Sequence, residues 1–190
     1  MIAGYLIKHP NGTQGINGLG YNYLMAAGGL YINALGPYLA ARFLIAPAEI
    51  RGLSPSLEIL TLSNGLIPKI LFDLALNAFL ADPDRERYLA ITWDNGYHLW
   101  QPEQDISKAK VEYQTMDNVV MELHSHGCMS AFFTDQDNKD EQGFRIYGVI
   151  GKLRERPTFK LRVGVYGYFQ DIKFADVFEG TCPVNEEKVN

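Results

Sequence analysis

Residues 121–137 read MELHSHGCMSAFFTDQD, and this stretch carries the chemistry of the chain. It holds two of the four histidines, His124 and His126, one residue apart. Seven residues lead on to Thr134, and two more to Asp137. On a strand, residues two apart point to the same side. His124 and His126 can then offer imidazole nitrogens to one ion, at ~2.0–2.1 Å in the case of zinc. Asp137 adds a carboxylate oxygen. Three protein ligands and a water make the open tetrahedral site of a catalytic zinc. The water at such a site ionises near pH ~7. Thr134, three residues before Asp137, is placed to aim a hydroxyl at the charge that develops on an attacked carbonyl. An isolated His-x-His carries little by itself, and "DQDNKDE" alone reads as a solvated loop; the specificity lies in the full constellation.

That constellation resembles the motif of the JAMM family of zinc metalloproteases, also called JAB or MPN+. The usual hydroxyl there is serine. Threonine keeps the hydroxyl on a stiffer side chain. The apolar "MSAFF" in the gap is similar to the family's segment packed under the metal. The likeness covers residues 67–169. "LHSHG", "AFF" and "YGVIGKL" narrow it to the prokaryotic branch found in PRTRC plasmid cassettes beside ThiF-like and ubiquitin-like proteins. The resemblance implies an α/β (α+β) JAB/MPN fold, a mixed sheet flanked by helices in a cytidine deaminase-like architecture. It implies a Zn2+ cofactor and a ubiquitin-like protein, or its conjugates, as substrate and partner, with a ThiF-like protein as a further partner. It also implies an upstream glutamate as general base. Glu86, 38 residues before His124, matches that place. Glu58 precedes the expected helix and matches less well. Glu122 shares a strand face with His124 and is a candidate to accept an imidazole N–H. The alternative function is a non-catalytic binding scaffold on the same fold.

The elements that must position these residues follow from pattern. In "GLIPKILFDLALNAFLADP", Pro68 suits a first helical position. Ile67, Ile70, Leu71, Leu74, Ala78 and Ala81 recur at helical spacing. Asp82-Pro83 ends the helix. Asp94-Asn95-Gly96 between apolar-aromatic runs signals a hairpin, with Trp93 and Trp100 as packing anchors. "NVVMELHSH", "FRIYGVIGKL" and "TFKLRVGVYGYF" read as strands. Residues 1–66 are rich in Gly, Tyr and Leu, and form an extension of short strands with one or two helical turns at Leu39–Ile45. Residues 67–180 form the catalytic domain, and 181–190 a flexible tail.

The remaining residues bound the reading. Seventeen basic and 22 acidic residues give a net charge of −5, which argues against a nucleic-acid binder. Cys128 and Cys182 form no CxxC pair, so a disulfide framework or cysteine zinc site is not expected. Cys128 reads as a small buried residue. Asp140 and Glu141 read as a solvated face or an acidic rim, and His9 and His98 as surface or turn residues. No HExxH occurs, nor the His-Glu and PCxxC of nucleobase deaminases. The start breaks at Lys8 and Pro10, too early for a secretory segment. A cytoplasmic protein is the expectation.

Overall fold

The computed structural model describes residues 1–102 and 118–187. The chain divides into two compact units. One holds Met1–Gly65, Glu141–Phe144 and Val163–Gln170; the other holds Leu66–Asp140, Arg145–Arg162 and Asp171–Asn190.

The first unit carries a six-stranded sheet of β1 (Ala3–His9), β2 (Gly12–Ile16), β3 (Tyr21–Ala26), β4 (Gly29–Leu35), β5 (Leu39–Pro47) and β6 (Ile59–Leu62). Their order is β2-β1-β3-β4-β5-β6. β1 and β3 run parallel, and the other pairs antiparallel. The helical turns expected at Leu39–Ile45 are strand instead. Leu39, Ala41 and Phe43 are buried while their neighbours are less so, a period of two that fits only a pleated strand. Gly29 opens β4 at φ 133°, and a Cβ there would meet the Ala46 carbonyl oxygen at 2.1 Å. Only glycine permits that approach of β4 to β5.

The second sheet holds β7 (Tyr88–Trp93), β8 (Tyr97–Trp100), β9 (Val119–Ser125), β10 (Phe144–Gly151), β11 (Thr158–Val165), β12 (Tyr168–Ile172) and β13 (Asn185–Glu186). Its order is β12-β11-β10-β9-β7-β8, with β13 paired to β11. β9 lies between β10, parallel to it, and β7, antiparallel to it. The expected hairpin joins β7 to β8 at Trp93↔Tyr97, with Asn95 at φ 52°. Asparagine tolerates that left-handed conformation better than most residues. Of the expected tail, Asn185–Glu186 pairs with β11, and residues 188–190 lie outside the described residues.

Helix α1 (Lys69–Leu80) follows Pro68, whose φ of −56° and ψ of 127° make it the residue before the helix rather than its first turn. Pro83 disfavours a helical Asp82 and so stops the helix. The buried face is not the one the spacing suggested. Phe72, Ala75 and Phe79 are buried, whereas Ile70 and Leu74 are 60% and 47% exposed. The aromatic rings decide this. Phe72 packs edge-on against Phe159, Phe174 and Phe178, with centroids 4.7–5.4 Å apart. Burying a phenylalanine contributes ~1.5–3 kcal/mol, so the largest side chains set the helix rotation.

The architecture corrects the expected fold class. Strands take up 47% and helices 12% of the described residues, in two mixed sheets. Among the described residues, α1 and the six-residue α2 (Asp135–Asp140) are the α-helices. A sheet flanked by helices, as in the JAB/MPN or cytidine deaminase-like arrangement, needs more helical surface than this. No helix among the described residues is long and apolar enough to cross a membrane.

Candidate metal centre

The centre is built at the end of β9. Val119, Val120, Met121 and Leu123 are buried, and Glu122 and His124 are half-buried. Glu122, His124 and, one step beyond the strand, His126 share one face. The register sets Tyr88 of β7 and Val149 of β10 beside His124. The His126 N–H donates to the Ile150 carbonyl at 2.9 Å, which carries the pairing past the strand end. Gly127 then turns the chain at φ 54°, where a Cβ would meet the Pro83 carbonyl oxygen at 3.0 Å. Ala131 is buried, and its N–H donates to Thr158 Oγ1 at 3.1 Å. These anchors fix the loop that leads to α2.

Thr134 begins α2 with a reciprocal cap. Its hydroxyl accepts from the Asp137 N–H at 3.1 Å. The same hydroxyl donates to Asp137 Oδ2 at 2.7 Å, and the Thr134 N–H donates to that oxygen at 2.6 Å. This is the hydrogen-bond logic of a capping box, with Asp137 in the third helical position. It also aims the carboxylate at the histidines. Asp137 Oδ1 lies 3.6 Å from His124 Nε2, and Oδ2 lies 3.9 Å from His126 Nε2. The two Nε2 atoms are 3.1 Å apart.

Ligand atoms of His124, His126 and Asp137 all lie within 4.8 Å of one another, so the three residues form a group that could hold a metal ion. Bonds of ~2.0–2.1 Å in tetrahedral geometry put ligand atoms roughly 3.3 Å apart, close to the spacings found. Two imidazole Nε2 atoms facing each other at 3.1 Å cannot both carry a proton. A cation between them would match both lone pairs. His126 Nδ1 is buried and has no hydrogen-bond partner among the described residues.

Electrostatics keep the donors ready. Burial pushes the His124 pKa down, to about 4; Asp137 opposes the shift, and His126 and Arg162 add to it. The ring is therefore neutral at pH 7. Burial alone would raise the Asp137 pKa, but the Thr134 N–H and hydroxyl and the two imidazoles outweigh it and hold the carboxyl below its ordinary value. A neutral His124 and an ionised Asp137 are the states that metal binding requires of these two ligands.

The other expected site residues fall variously. Glu86 is exposed and lies two residues before β7. Arg87 and Ser125 exchange bonds at 3.0 Å, N–H to Oγ and carbonyl to N–H. Glu86 thus adjoins, in sequence, the residue that pairs with Ser125, which lies between the two histidines. Its carboxylate is not one of the clustered ligands. Glu58 lies in the first unit and accepts the Leu44 N–H at 3.0 Å. Glu122 is ion-paired to Arg145 across β9 and β10. Cys128 is exposed, not buried, because it follows the turn at Gly127. Asp140 accepts from Gln136 at 2.8 Å, and Glu141 is buried, so the pair forms no continuous solvated face. His98 Nε2 lies 3.0 Å from the Asp94 carbonyl, inside the hairpin.

Two aromatic residues of the MSAFF segment and one arginine, which the sequence did not single out, join the centre. Phe132 is 41% exposed and edge-on to His126 at 5.1 Å. Phe133 lies edge-on to His124 at 6.3 Å. Arg162 is 4% exposed, and its guanidinium lies 3.8 Å from the centre of the Phe133 ring. The one signal for Arg162 was a charge inside the apolar run "KLRVGV". No family model matches the chain, and no curated protein matches it.

The cap yields an expected result. Thr134→Val removes both hydroxyl bonds at nearly constant shape. Zinc affinity should fall ~10–100-fold, the usual cost of losing a partner that orients a ligand, while turnover per zinc-loaded molecule holds. Thr134→Ser should restore both. Measuring zinc occupancy and turnover on the same samples separates this from oxyanion stabilisation. In that case zinc content would hold, and turnover per bound zinc would fall ~10²–10³-fold.

Proposed function

We propose that the chain is a zinc-dependent peptidase or isopeptidase of the cytoplasm. Its substrate would be the C-terminal region of a ubiquitin-like protein, freed from a target or trimmed of an extension. The observation that carries the reading is the convergence of His124, His126 and Asp137 within 4.8 Å. Two imidazoles and one carboxylate form the donor set of an open catalytic zinc site. When bound there, zinc supplies Lewis acidity and activates water at neutral pH. Glu86 acts as general base, taking a proton on its carboxylate and passing it to the leaving amine. Thr134 holds Asp137 through its N–H and hydroxyl. The choice of a ubiquitin-like substrate rests on the motif's resemblance to JAMM proteases.

The direct test is incubation of the zinc-loaded protein with a ubiquitin-like protein carrying a C-terminal extension. Cleavage should occur at the end of the modifier, stop with a chelator and return with added zinc. Cleavage that continues in metal-free protein would exclude the reading.

A further inference from the structure

We propose that Arg162 positions the third metal ligand, Asp137, by clamping the chain on both sides of it; this rests on the metal-centre reading above. Helix α2 has six residues and buries none of them. A helix so short is marginal by itself. The Thr134–Asp137 cap ties Asp137 only to its own segment, so something outside must fix that segment against the histidines.

Arg162 does this at two points. The guanidinium plane lies over Phe133, the residue just before Thr134, at 3.8 Å. Its Nη1 donates to Asn138 Oδ1, on the residue just after Asp137, at 2.5 Å. The ligand lies between the two anchors. The arginine itself cannot wander: it is 4% exposed and belongs to β11, seven of whose eight residues are buried. The position of Asp137 is thereby referred to the sheet that also carries His124. Arginine suits the task because its planar group stacks on a ring while its edge donates, which lysine cannot do together.

The test compares Arg162→Lys and Asn138→Ala with Gln136→Ala, a control on the same helix whose side chain bonds Asp140. Zinc affinity is measured by competition with a chromophoric chelator. Coordination geometry is read from the ligand-field absorption of the cobalt(II)-substituted protein, and fold from far-UV circular dichroism. Arg162→Lys and Asn138→Ala should bind zinc ~10–100-fold more weakly, the range for partners that orient ligands. Their cobalt bands should weaken and shift, and Gln136→Ala should match wild type. Wild-type affinity and an unchanged cobalt band in Arg162→Lys would overturn the clamp while leaving the metal centre standing. If Arg162→Lys does not fold, Asn138→Ala decides in the same way, since Asn138 is exposed and its loss opens no core. A wild-type protein that takes up neither zinc nor cobalt overturns the metal centre, and the clamp with it, before any variant is made.

Discussion

His126→Ala should lose its metal and its turnover together. The site offers three donors, and an open tetrahedral centre has none to spare. His126 is the most enclosed of the three at 6% exposure, against 20% for the side chains of His124 and Asp137, so water is least able to replace it. The fold should survive, because Val120, Met121 and Leu123 hold β9 in the core independently of the imidazole. Asp137→Asn gives a second route that keeps shape and removes the charge. It should also take up little zinc, while the amide oxygen can still accept both Thr134 bonds. His98→Ala is the matched control, since its imidazole lies against the hairpin carbonyl of Asp94 and not in the metal cluster. Zinc is counted by elemental analysis and turnover by cleavage of an extended ubiquitin-like protein. Stoichiometric zinc in His126→Ala would remove that residue from the ligand set, and full activity without zinc would remove the metal from the reaction.

The donor group was legible in the sequence because its determinants are local. Two-residue alternation puts His124 and His126 on one face, and the Thr-x-x-Asp spacing writes a helix cap that returns the carboxylate toward its own start. Only the meeting of these two segments needed the fold. Arg162 was not legible. It lies 25 positions beyond Asp137, and nothing in "KLRVGV" says which loop its guanidinium will hold. The rotation of α1 is hidden from local pattern for a related reason. The spacing of Ile70, Leu74 and Ala78 is as helical as that of Phe72, Ala75 and Phe79, and the aromatic partners Phe159, Phe174 and Phe178 that break the tie lie far along the chain. Over residues 1–66 the short glycine-punctuated strands expected from pattern are present, four to nine residues long, but their joining into one six-stranded sheet depends on pairings that no local pattern states. The motif resemblance supplied a helix-flanked architecture that the helix content of this chain does not support.

Glu86→Gln should keep its zinc and lose ~10²–10⁴-fold in turnover, the usual contribution of a positioned general base. The substitution is nearly isosteric and removes only the capacity to accept and return a proton. Metal content should hold, because the Glu86 carboxylate is not one of the three clustered donors. Stability should hold too, since the residue is exposed and lies outside β7. The next residue, Arg87, pairs with Ser125, which lies between the two histidines. Glu58→Gln should turn over at the wild-type rate, because Glu58 serves the Leu44 N–H in the first unit. Glu122→Gln tests a different idea, since Glu122 is committed to Arg145 and its loss leaves that partly buried guanidinium without the charge of its partner. Its effect should fall on stability, read as a lower thermal midpoint, with little change in turnover per zinc-loaded molecule. Full activity in Glu86→Gln alongside a dead Glu58→Gln or Glu122→Gln would move the proposed base to the residue whose loss abolishes turnover.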